Sequence, residues 1–555
     1  MALNLNSIRL LGLQRFILPP LRLLPPKVNF SRTRKLGFRL HCSCGRSMDP
    51  PLTVRERIDL SEKEEKIFRR LLDVLDHFKL ETQLRVAGGW VRDKLLGKDS
   101  YDIDIALDNM LGRDFCGKVN KYLEHIGEEQ EGVGVIQCNP DQSKHLETAR
   151  MRVYGTWIDF VNLRSETYAE NNRIPTMEFG TAEQDAYRRD LTINSLFYNI
   201  NTKSVEDLTG AGIRDLKEGR IATPLPPKET FLDDPLRVLR AIRFGARFDF
   251  NLAKDLQQAA SDEEVKAAMT DKISRERIGH EIDLMISGNQ PVKAMTYIRD
   301  LQLFFAVFTL PENPQPEVIE GCDRLCVSYM ETAWKALQSV DHLNFSDEQR
   351  RLYLYGALFL PLRNTIYIDK KSKKIPIVSY IFRNSLKLKS NDAEMVVSLH
   401  ATSQRFISLI PFLESDNDPE ILERELEDEC LDIPLTSRRR VLAGLVLRQI
   451  KDFWRVALLM STQIYPVADR ANDIFIQVER SIVELGLDKV WEVKPLLDGK
   501  AIMGILQLKT GGPLVREWQE RLLRWQLAHP QGTAEECRDW MMQSQSKRAK
   551  LDCCS

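Results

Sequence analysis

Val86-Ala-Gly-Gly-Trp-Val-Arg-Asp-Lys-Leu-Leu-Gly-Lys-Asp-Ser-Tyr-Asp-Ile-Asp-Ile-Ala106 is the stretch whose reading decides the fold. It reads as a strand end, a glycine turn, a short helix and a second strand. In that second strand Asp102 and Asp104 stand at i and i+2, and alternate residues of a strand point to one face. Both carboxylates therefore project together beside Gly88 and Gly89, which sets a divalent metal site next to a phosphate cradle.

Working outward, the 555 residues exceed what one core accommodates and suggest three or four globular units. A hydrophobic fraction of 43% with 29% charged residues is that of a soluble protein. No run approaches the roughly 18 apolar residues of a membrane span, so no membrane partner is expected. Ten cysteines, mostly isolated, make no disulfide framework and favour a reducing compartment. Cys42/Cys44 and Cys322/Cys326 lack a second pair or a histidine cluster at zinc spacing, and a metal role is not expected there.

The net charge of −1 hides an asymmetry. Residues 1–47 hold nine of the 79 Lys and Arg and no Asp or Glu, leaving about −10 on the remainder. Such an Arg-rich, acid-free leader resembles a mitochondrial or plastid transit peptide, the alternative being a disordered tail. Met48 offers a second start for a cytoplasmic or nuclear form lacking it. Ser546-Lys-Arg-Ala-Lys-Leu-Asp552 resembles a short nuclear import signal, a pattern that also arises by chance.

The spacing predicts a helix over Ser61–Leu80, with Ser61 and Glu64 as a capping box and Ile67, Leu71, Leu75 and Phe78 as its apolar stripe. A helix is predicted over Asp114–Ile126, a strand over Val133–Cys138 and a hairpin over Glu147–Leu163 turning near Gly155. Within the hairpin, Asp159 faces away from Ile158 and Phe160, as a third metal ligand or a surface carboxylate. Arg164–Ala182 reads as a mobile loop. A helix over Gln184–Tyr198 then crowds Arg188, Arg189, Asp190 and Asn194 together; the arginines suit phosphate oxygens and the Asp and Asn suit ribose hydroxyls.

Asp207–Leu216 carries two glycines of a turn between short strands. Next, Asp234 as N-cap and Pro235 as first helical residue start a helix in which Arg237, Arg240 and Arg243 recur every three residues along one side. Ser274–Glu281 begins another helix that buttresses it.

Taken in order, Gly-Gly-x-x-Arg-Asp (from Gly88), Asp-x-Asp (from Asp102), Arg-Arg-Asp-x-Thr-x-Asn (from Arg188), Asp-Asp-x-x-Arg (from Asp233) and Ser-x-Glu-Arg-Ile (from Ser274) resemble the class II CCA-adding tRNA nucleotidyltransferases and their poly(A) polymerase relatives. Leu508-Lys-Thr-Gly-Gly-Pro-Leu, Arg524-Trp-Gln and Pro530-Gln-Gly-Thr resemble the tail of eukaryotic members. Asp233 replaces the family's glutamate, keeping the charge. The resemblance implies an α+β fold, a mixed-sheet nucleotidyltransferase head followed by an all-α neck, body and tail. The expected division is 1–47 leader, 48–200 head, 201–290 neck for base recognition, 291–490 body and 491–545 tail for tRNA contact, and 546–555 basic tail. It also implies CTP, ATP and tRNA as partners and CCA addition as the activity. A poly(A) polymerase, or a non-catalytic tRNA-binding protein, remains the alternative.

The chemistry gives these residues roles. A 3′-hydroxyl must attack an α-phosphate while pyrophosphate leaves, and Mg²⁺ held by Asp102 and Asp104, with Asp159 as candidate third ligand, serves both oxygens. Gly88 and Gly89 let the backbone approach a triphosphate that Arg92 and Arg189 neutralise, with Asp190 and Asn194 near the ribose. Cytosine and adenine both present an exocyclic amine beside a ring-nitrogen acceptor. Asp234 and Arg237, an acceptor and a donor, match both and mismatch guanine and uracil. Arg240 and Arg243 extend the set toward the phosphates or serve structure. Further along, Val441–Met460 suggests stacked helices. Lys370–Lys374, Lys387/Lys389 and Arg438–Arg440 are candidate phosphate contacts or solvated faces. Trp518, Arg521, Arg524 and Trp525 either grip RNA or form core.

Overall fold

A computed structural model describes residues 53–136, 147–167, 176–340, 343–414, 434–466 and 470–552. The leader expectation for residues 1–47 falls outside these. From residue 52 on, the chain clusters as one compact unit, where its length suggested three or four.

Helix α1 (Glu62–Phe78) starts where predicted, with the reciprocal Ser61/Glu64 capping box formed. Ile67, Phe68, Leu71, Val74 and Leu75 form its buried stripe. Glu64 does more than cap: buried, it accepts from Trp90 Nε1 at 3.1 Å and Lys94 Nζ at 2.8 Å. Burial opposes its charge, but Lys94 and the Ser61 hydrogen bonds hold its pKa below the usual glutamate value. This joins α1 to helix α2 (Gly89–Leu95), which follows strand β1 (Leu84–Ala87) directly.

Strand β2 (Ile103–Leu107) and helix α3 (Gly112–His125) come next, then β3 (Val133–Ile136), β4 (Thr148–Val153) and β5 (Thr156–Asn162). With the later β8 (Phe197–Asn199) and β9 (Ser204–Glu206) they form a seven-stranded sheet in the order β3-β4-β5-β2-β1-β8-β9. Only β2 and β5 pair in parallel, so the sheet is mixed, as expected. Phe115 of α3 packs against Phe160, ring centroids 5.3 Å apart, which marks the covered face of the sheet. The other face, carrying Asp104 and Asp159, is left for the site.

Three local expectations are corrected. The predicted loop Arg164–Ala182 begins and ends as a ribbon of β6 (Arg164–Thr167) and β7 (Thr176–Phe179); residues 168–175 lie outside the described segments. The predicted helix over Gln184–Tyr198 stops early. Only α4 (Ala182–Tyr187) is α-helical, followed by a single 3-10 turn (Thr192–Asn194) and β8. The physical reason is competition. Asp190 turns its carboxylate onto the Leu191 N–H at 2.9 Å, the Thr192 N–H goes to the Ala222 carbonyl, and Phe197 and Tyr198 pair with β1. Third, the glycine turn of Asp207–Leu216 leads into helix α5 (Gly212–Glu218) rather than straight into a strand, and Asp207 Oδ2 receives the Ile213 N–H at 2.9 Å.

Strand β10 (Arg220–Ile221), helices α6 (Pro227–Asp233) and α7 (Leu236–Phe248), β11 (Asn251–Leu252), α8 (Lys254–Ala260), α9 (Glu263–Lys272) and α10 (Arg275–Ile286) follow. The α7 cap lies one residue later than predicted, at Pro235, yet the Asp234 carboxylate still accepts from the Leu236 N–H at 3.3 Å. Gly279 of α10 has no room for a side chain, since a Cβ there would lie 1.7 Å from the Leu386 carbonyl oxygen. Helix α10 is thus pressed onto the backbone at Leu386, and one hydrophobic core runs from Ile67 to Ala528.

The remainder is helical except for the hairpin Ile366–Ile368/Lys374–Pro376. The stretch Val441–Met460 is two stacked helices, Leu435–Ile450 and Trp454–Thr462, broken at Lys451, whose φ is +55°. The tail has its own core of Leu497, Ile502, Val515, Trp518, Leu522, Trp525, Cys537 and Met541. Trp518 and Trp525 are therefore core. The backbone of the last basic run, through Asp552, continues a helix from Ala534. Cys322 and Cys326 are buried on one helix with sulfurs 3.9 Å apart, and no disulfide forms among the described residues. No described helix is long and apolar enough to cross a membrane.

Candidate active site

The open face of the sheet floors a cleft of about 440 Å³, roofed by the start of α7. Ala87, Asp104, Ala106, Thr148, Val161 and Asn162 line its floor; Asp185, Arg188, Arg189 and Asp190 form a wall; Asp234, Arg237 and Arg240, with Arg277 of α10, close the roof.

At the floor, the β2–β5 register sets Asp104 directly beside Asp159. Asp102 precedes β2 by one residue and is exposed. Burial, and then the charges of Asp102 and Asp159, push the Asp104 carboxyl up to about 6, while Arg189 and Arg150 pull the other way. Asp159 is held by Arg150, through a bond from Nε and a second from Nη2 at 2.7 Å. Among the described residues no set of three metal-ligating side chains is already arranged around one point. The two predicted acids and Asp159 share a face, but Asp159 is engaged by a guanidinium.

The wall is organised by Asp185, which is almost fully buried. It accepts from Arg188 Nε at 2.8 Å and from Arg189 Nε and Nη2 at 3.0 and 2.8 Å. Burial alone would raise its pKa; Arg189 and Arg188 outweigh that and hold it below the ordinary aspartate value. Arg189 reaches further, placing Nη1 3.3 Å from the Asn194 carbonyl. That atom would sit 2.8 Å from any Cβ on Gly88, whose φ is +72°. Gly88 is therefore required by its backbone conformation, which a residue with a Cβ rarely adopts.

Arg92 is not in the cleft. It lies behind the glycine turn, 3% exposed, over the rings of Phe244 and Phe248 at 5.0 and 4.7 Å, donating to Asp93 and to the Asn194 side chain. Burial lowers its pKa, opposed by Asp93. From Asn194 a chain continues: Nδ2 donates to Asp190 Oδ1 at 3.0 Å, and Asp190 Oδ2 receives Arg240 Nε at 2.7 Å. Burial would raise the Asp190 carboxyl, but Arg240, Asn194 and Arg237 hold it at about 2. Gly89 likewise opens helix α2 and is absent from the cleft lining. Arg243 points to α10, donating from Nε to buried Glu281 at 2.6 Å.

At the roof, Asp234 Oδ2 accepts from Arg277 Nη2 at 3.1 Å, and Arg237 Nη2 donates to the Arg188 carbonyl at 2.9 Å. An acceptor and a donor are thus presented together, each fixed from behind. Of the predicted set, Asp104, Arg189, Asp190, Asp234, Arg237 and Arg240 meet in the cleft, whereas Asp102 and Asp159 lie beside Asp104 outside its lining, as do Gly88, Gly89, Arg92, Asn194 and Arg243. Asp185, Arg150 and Arg277 were missed. Arg277 stands inside the quoted Ser274 motif, and Asp185 directly precedes the arginine pair by a helical turn; Arg150 had no signal beyond strand alternation.

The candidate RNA-contact residues also separate. Lys370, Lys371, Lys373, Lys374, Lys387 and Lys389 are exposed. Arg439 and Arg440 are instead joints, bonding Ser481 Oγ and the Leu527 carbonyl.

Compared with known proteins, residues 84–222 match the family model described as "Poly A polymerase head domain". The "tRNA nucleotidyltransferase cca2" of Schizosaccharomyces pombe is 33% identical over 87% of this chain and 98% of its own. The "CCA tRNA nucleotidyltransferase, mitochondrial" of Saccharomyces cerevisiae is 34% identical over 86% of this chain and 92% of its own. Among solved structures, the Bacillus stearothermophilus CCA-adding enzyme in complex with CTP has the same fold, with a TM-score of 0.59 at 19% identity over 89% of this chain and all of that one.

Proposed function

The chain belongs to the CCA tRNA nucleotidyltransferase family, and on that premise we propose how its cleft divides the work of the reaction. The protein adds and repairs the CCA sequence at the 3′ end of tRNA without a nucleic-acid template, using CTP and ATP and releasing pyrophosphate. The observation that carries the division of labour is the two-ended cleft, with Asp104 at the floor, Asp159 beside it on the next strand, and the Asp234/Arg237 pair at the roof.

Enzymes of this family use divalent metal ions. Asp102 and Asp104, with Asp159 alongside, would hold Mg²⁺. They are hard oxygen donors, and burial followed by the charges of Asp102 and Asp159 raises the Asp104 carboxyl to about 6, a penalty on its ionised form that a bound cation relieves. When bound, Mg²⁺ neutralises charge on the triphosphate and favours the ionised 3′-hydroxyl. Arg189, braced by Asp185, reaches the phosphates between floor and roof.

Base choice falls to the roof. Asp234 accepts the exocyclic amine of cytosine or adenine while Arg237 donates to the neighbouring ring nitrogen. Arg277 keeps the Asp234 carboxylate oriented, and the Arg188 carbonyl steadies Arg237. Guanine or uracil would set acceptor against acceptor and donor against donor. In this division the head (48–200) transfers, the neck (201–290) selects, and the body (291–490) and tail (491–545) hold tRNA, with the exposed lysines of Lys370–Lys374 as phosphate contacts.

Incubation with Mg²⁺, CTP, ATP and tRNA lacking its 3′ end, followed by sequencing, tests this reading. The expected product ends in C, C and A. A ladder of A selects a poly(A) polymerase, and no addition leaves a tRNA-binding protein. Residues 1–47 are proposed to direct import into mitochondria or plastids, with Met48 starting a cytoplasmic and nuclear form. The mitochondrial yeast relative supports the first half. A reporter fused to residues 1–47 that stays in the cytosol would overturn it.

A further inference from the structure

The sheet face that carries Asp104 continues past the cleft to Trp157, which is 46% exposed and has no part in the site described above. Alternation along β5 buries Ile158 and Phe160 and turns Trp157, Asp159 and Val161 to the open face. Ile103 pairs with Ile158 and Asp104 with Asp159. Extending that register one residue back on both segments brings Asp102 level with Trp157. On the other flank, Arg152 pairs with Trp157, its guanidinium 4.8 Å from the ring centroid, and Arg150 lies 6.0 Å from it while holding Asp159. The cleft-lining residues of β5 are Val161 and Asn162, at the opposite end of the strand. The carboxylates therefore lie between the cleft and the indole.

That order matches what the reaction requires, and the inference rests on the function proposed above. With the incoming nucleotide in the cleft, the attacking hydroxyl must approach from beyond the carboxylates, where Trp157 stands. The last base of the RNA is also not the same in every round: first whatever base the tRNA ends in, then C, then C again. Hydrogen-bond readout of that base would fail in some rounds. Stacking on an aromatic ring tolerates every base, because each has a π-face, and flanking guanidiniums suit the backbone phosphates. We propose that Trp157 is the platform on which the 3′-terminal base of the tRNA stacks, with Arg152 at the phosphate behind it, so that the ribose hydroxyl is delivered to Asp102 and Asp104. Trp157 is thus a positioning residue for the acceptor strand, as Asp234 and Arg237 are for the incoming base.

The test compares the full-length protein with Trp157→Ala and Trp157→Phe on tRNAs lacking CCA and ending in A, C, G or U. The alanine variant should lose about five- to a hundredfold in kcat/KM for RNA, equally for all four ends. Phenylalanine should restore most of it, and KM for CTP at saturating RNA and the choice of C over A should stay unchanged. An unaltered kcat/KM for RNA, or a loss confined to KM for CTP, overturns the proposal. A second readout needs no catalysis: 2-aminopurine replaces the 3′-terminal base, and its fluorescence should be quenched on binding wild type and Trp157→Phe but not Trp157→Ala. Equal quenching by all three overturns the platform. Absence of any addition by wild type refutes the proposed function instead, and the quenching still judges Trp157.

Discussion

Asp104, the carboxylate proposed to hold the metal, is the most perturbed acid of the floor. Buried beside two other carboxylates, it keeps its proton up to about pH 6. Between about pH 4 and 6 the folded state thus holds a proton that the unfolded chain has released, and stability of the metal-free protein falls as pH rises through that window. Asp104→Asn should abolish nucleotide addition. In EDTA at pH 7.5 it should also unfold about 1–3 kcal/mol harder than wild type in denaturant titrations, a gain that vanishes by about pH 4. A variant that is inactive and also less stable at pH 7.5 would mean that Asp104 is structural. Arg237 carries the opposite kind of role. Arg237→Ala should relax discrimination of CTP and ATP against GTP and UTP by about 10–100-fold with addition retained, measured as kcat/KM ratios. Unchanged selectivity would remove it from base choice.

Among the elements, the short 3-10 turn after α4 is the joint of the site. Through Asn194 and Asp190 it links Arg92 behind the glycine turn to Arg240 on α7. The Asp190 carboxyl, held at about 2, contributes stability above the usual aspartate pKa that is lost as pH falls through about 2. Asp190→Ala leaves buried Arg92 and Asn194 without the next member of the chain and Arg240 without its partner. It should cost about 2–3 kcal/mol by denaturant titration, the figure discounted because Arg240 is about a third exposed. It should also raise KM for both nucleotides as α7 loosens from the head. Loss of activity at full stability would show that Asp190 contacts the nucleotide rather than joining the elements. The sequence made the residues of this joint legible but not its shape. Helical periodicity ran on through Gln184–Tyr198, while hydrogen bonds to Ala222 and β1, both distant in sequence, broke it.

Across the whole molecule one hydrophobic core runs from Ile67 to Ala528, so the protonation of a group buried in it bears on the stability of the whole. His400 provides a measure of this. It is buried in the helix Ser390–Glu414, with Nε2 2.7 Å from the Gly356 carbonyl, and burial lowers its pKa to about 4. The unfolded chain takes up a proton near pH 6.5 that the folded chain refuses until about 4. Stability is therefore full above about pH 6.5 and declines by about 3 kcal/mol on descending to pH 4. Comparing wild type with His400→Gln by denaturant titration from pH 7.5 to 4.5 should show a shallower acid-side loss in the variant. Parallel curves would mean that other groups set the acid limit.

The sequence by itself determined the capping box, the paired acids, the arginine spacing of α7 and, through ordered motifs, the family. All of these depend on local spacing or on residue identity at fixed separations. Only the tertiary structure decided which polar residues face the cleft. It withdrew Arg92 behind the turn, sent Arg243 to Glu281, brought Asp185 and Arg277 into the lining, and set Arg150 on Asp159. Local spacing fixes the side of an element on which a side chain stands, whereas the neighbour on that side is fixed by strand register and helix packing between segments that lie far apart in the chain.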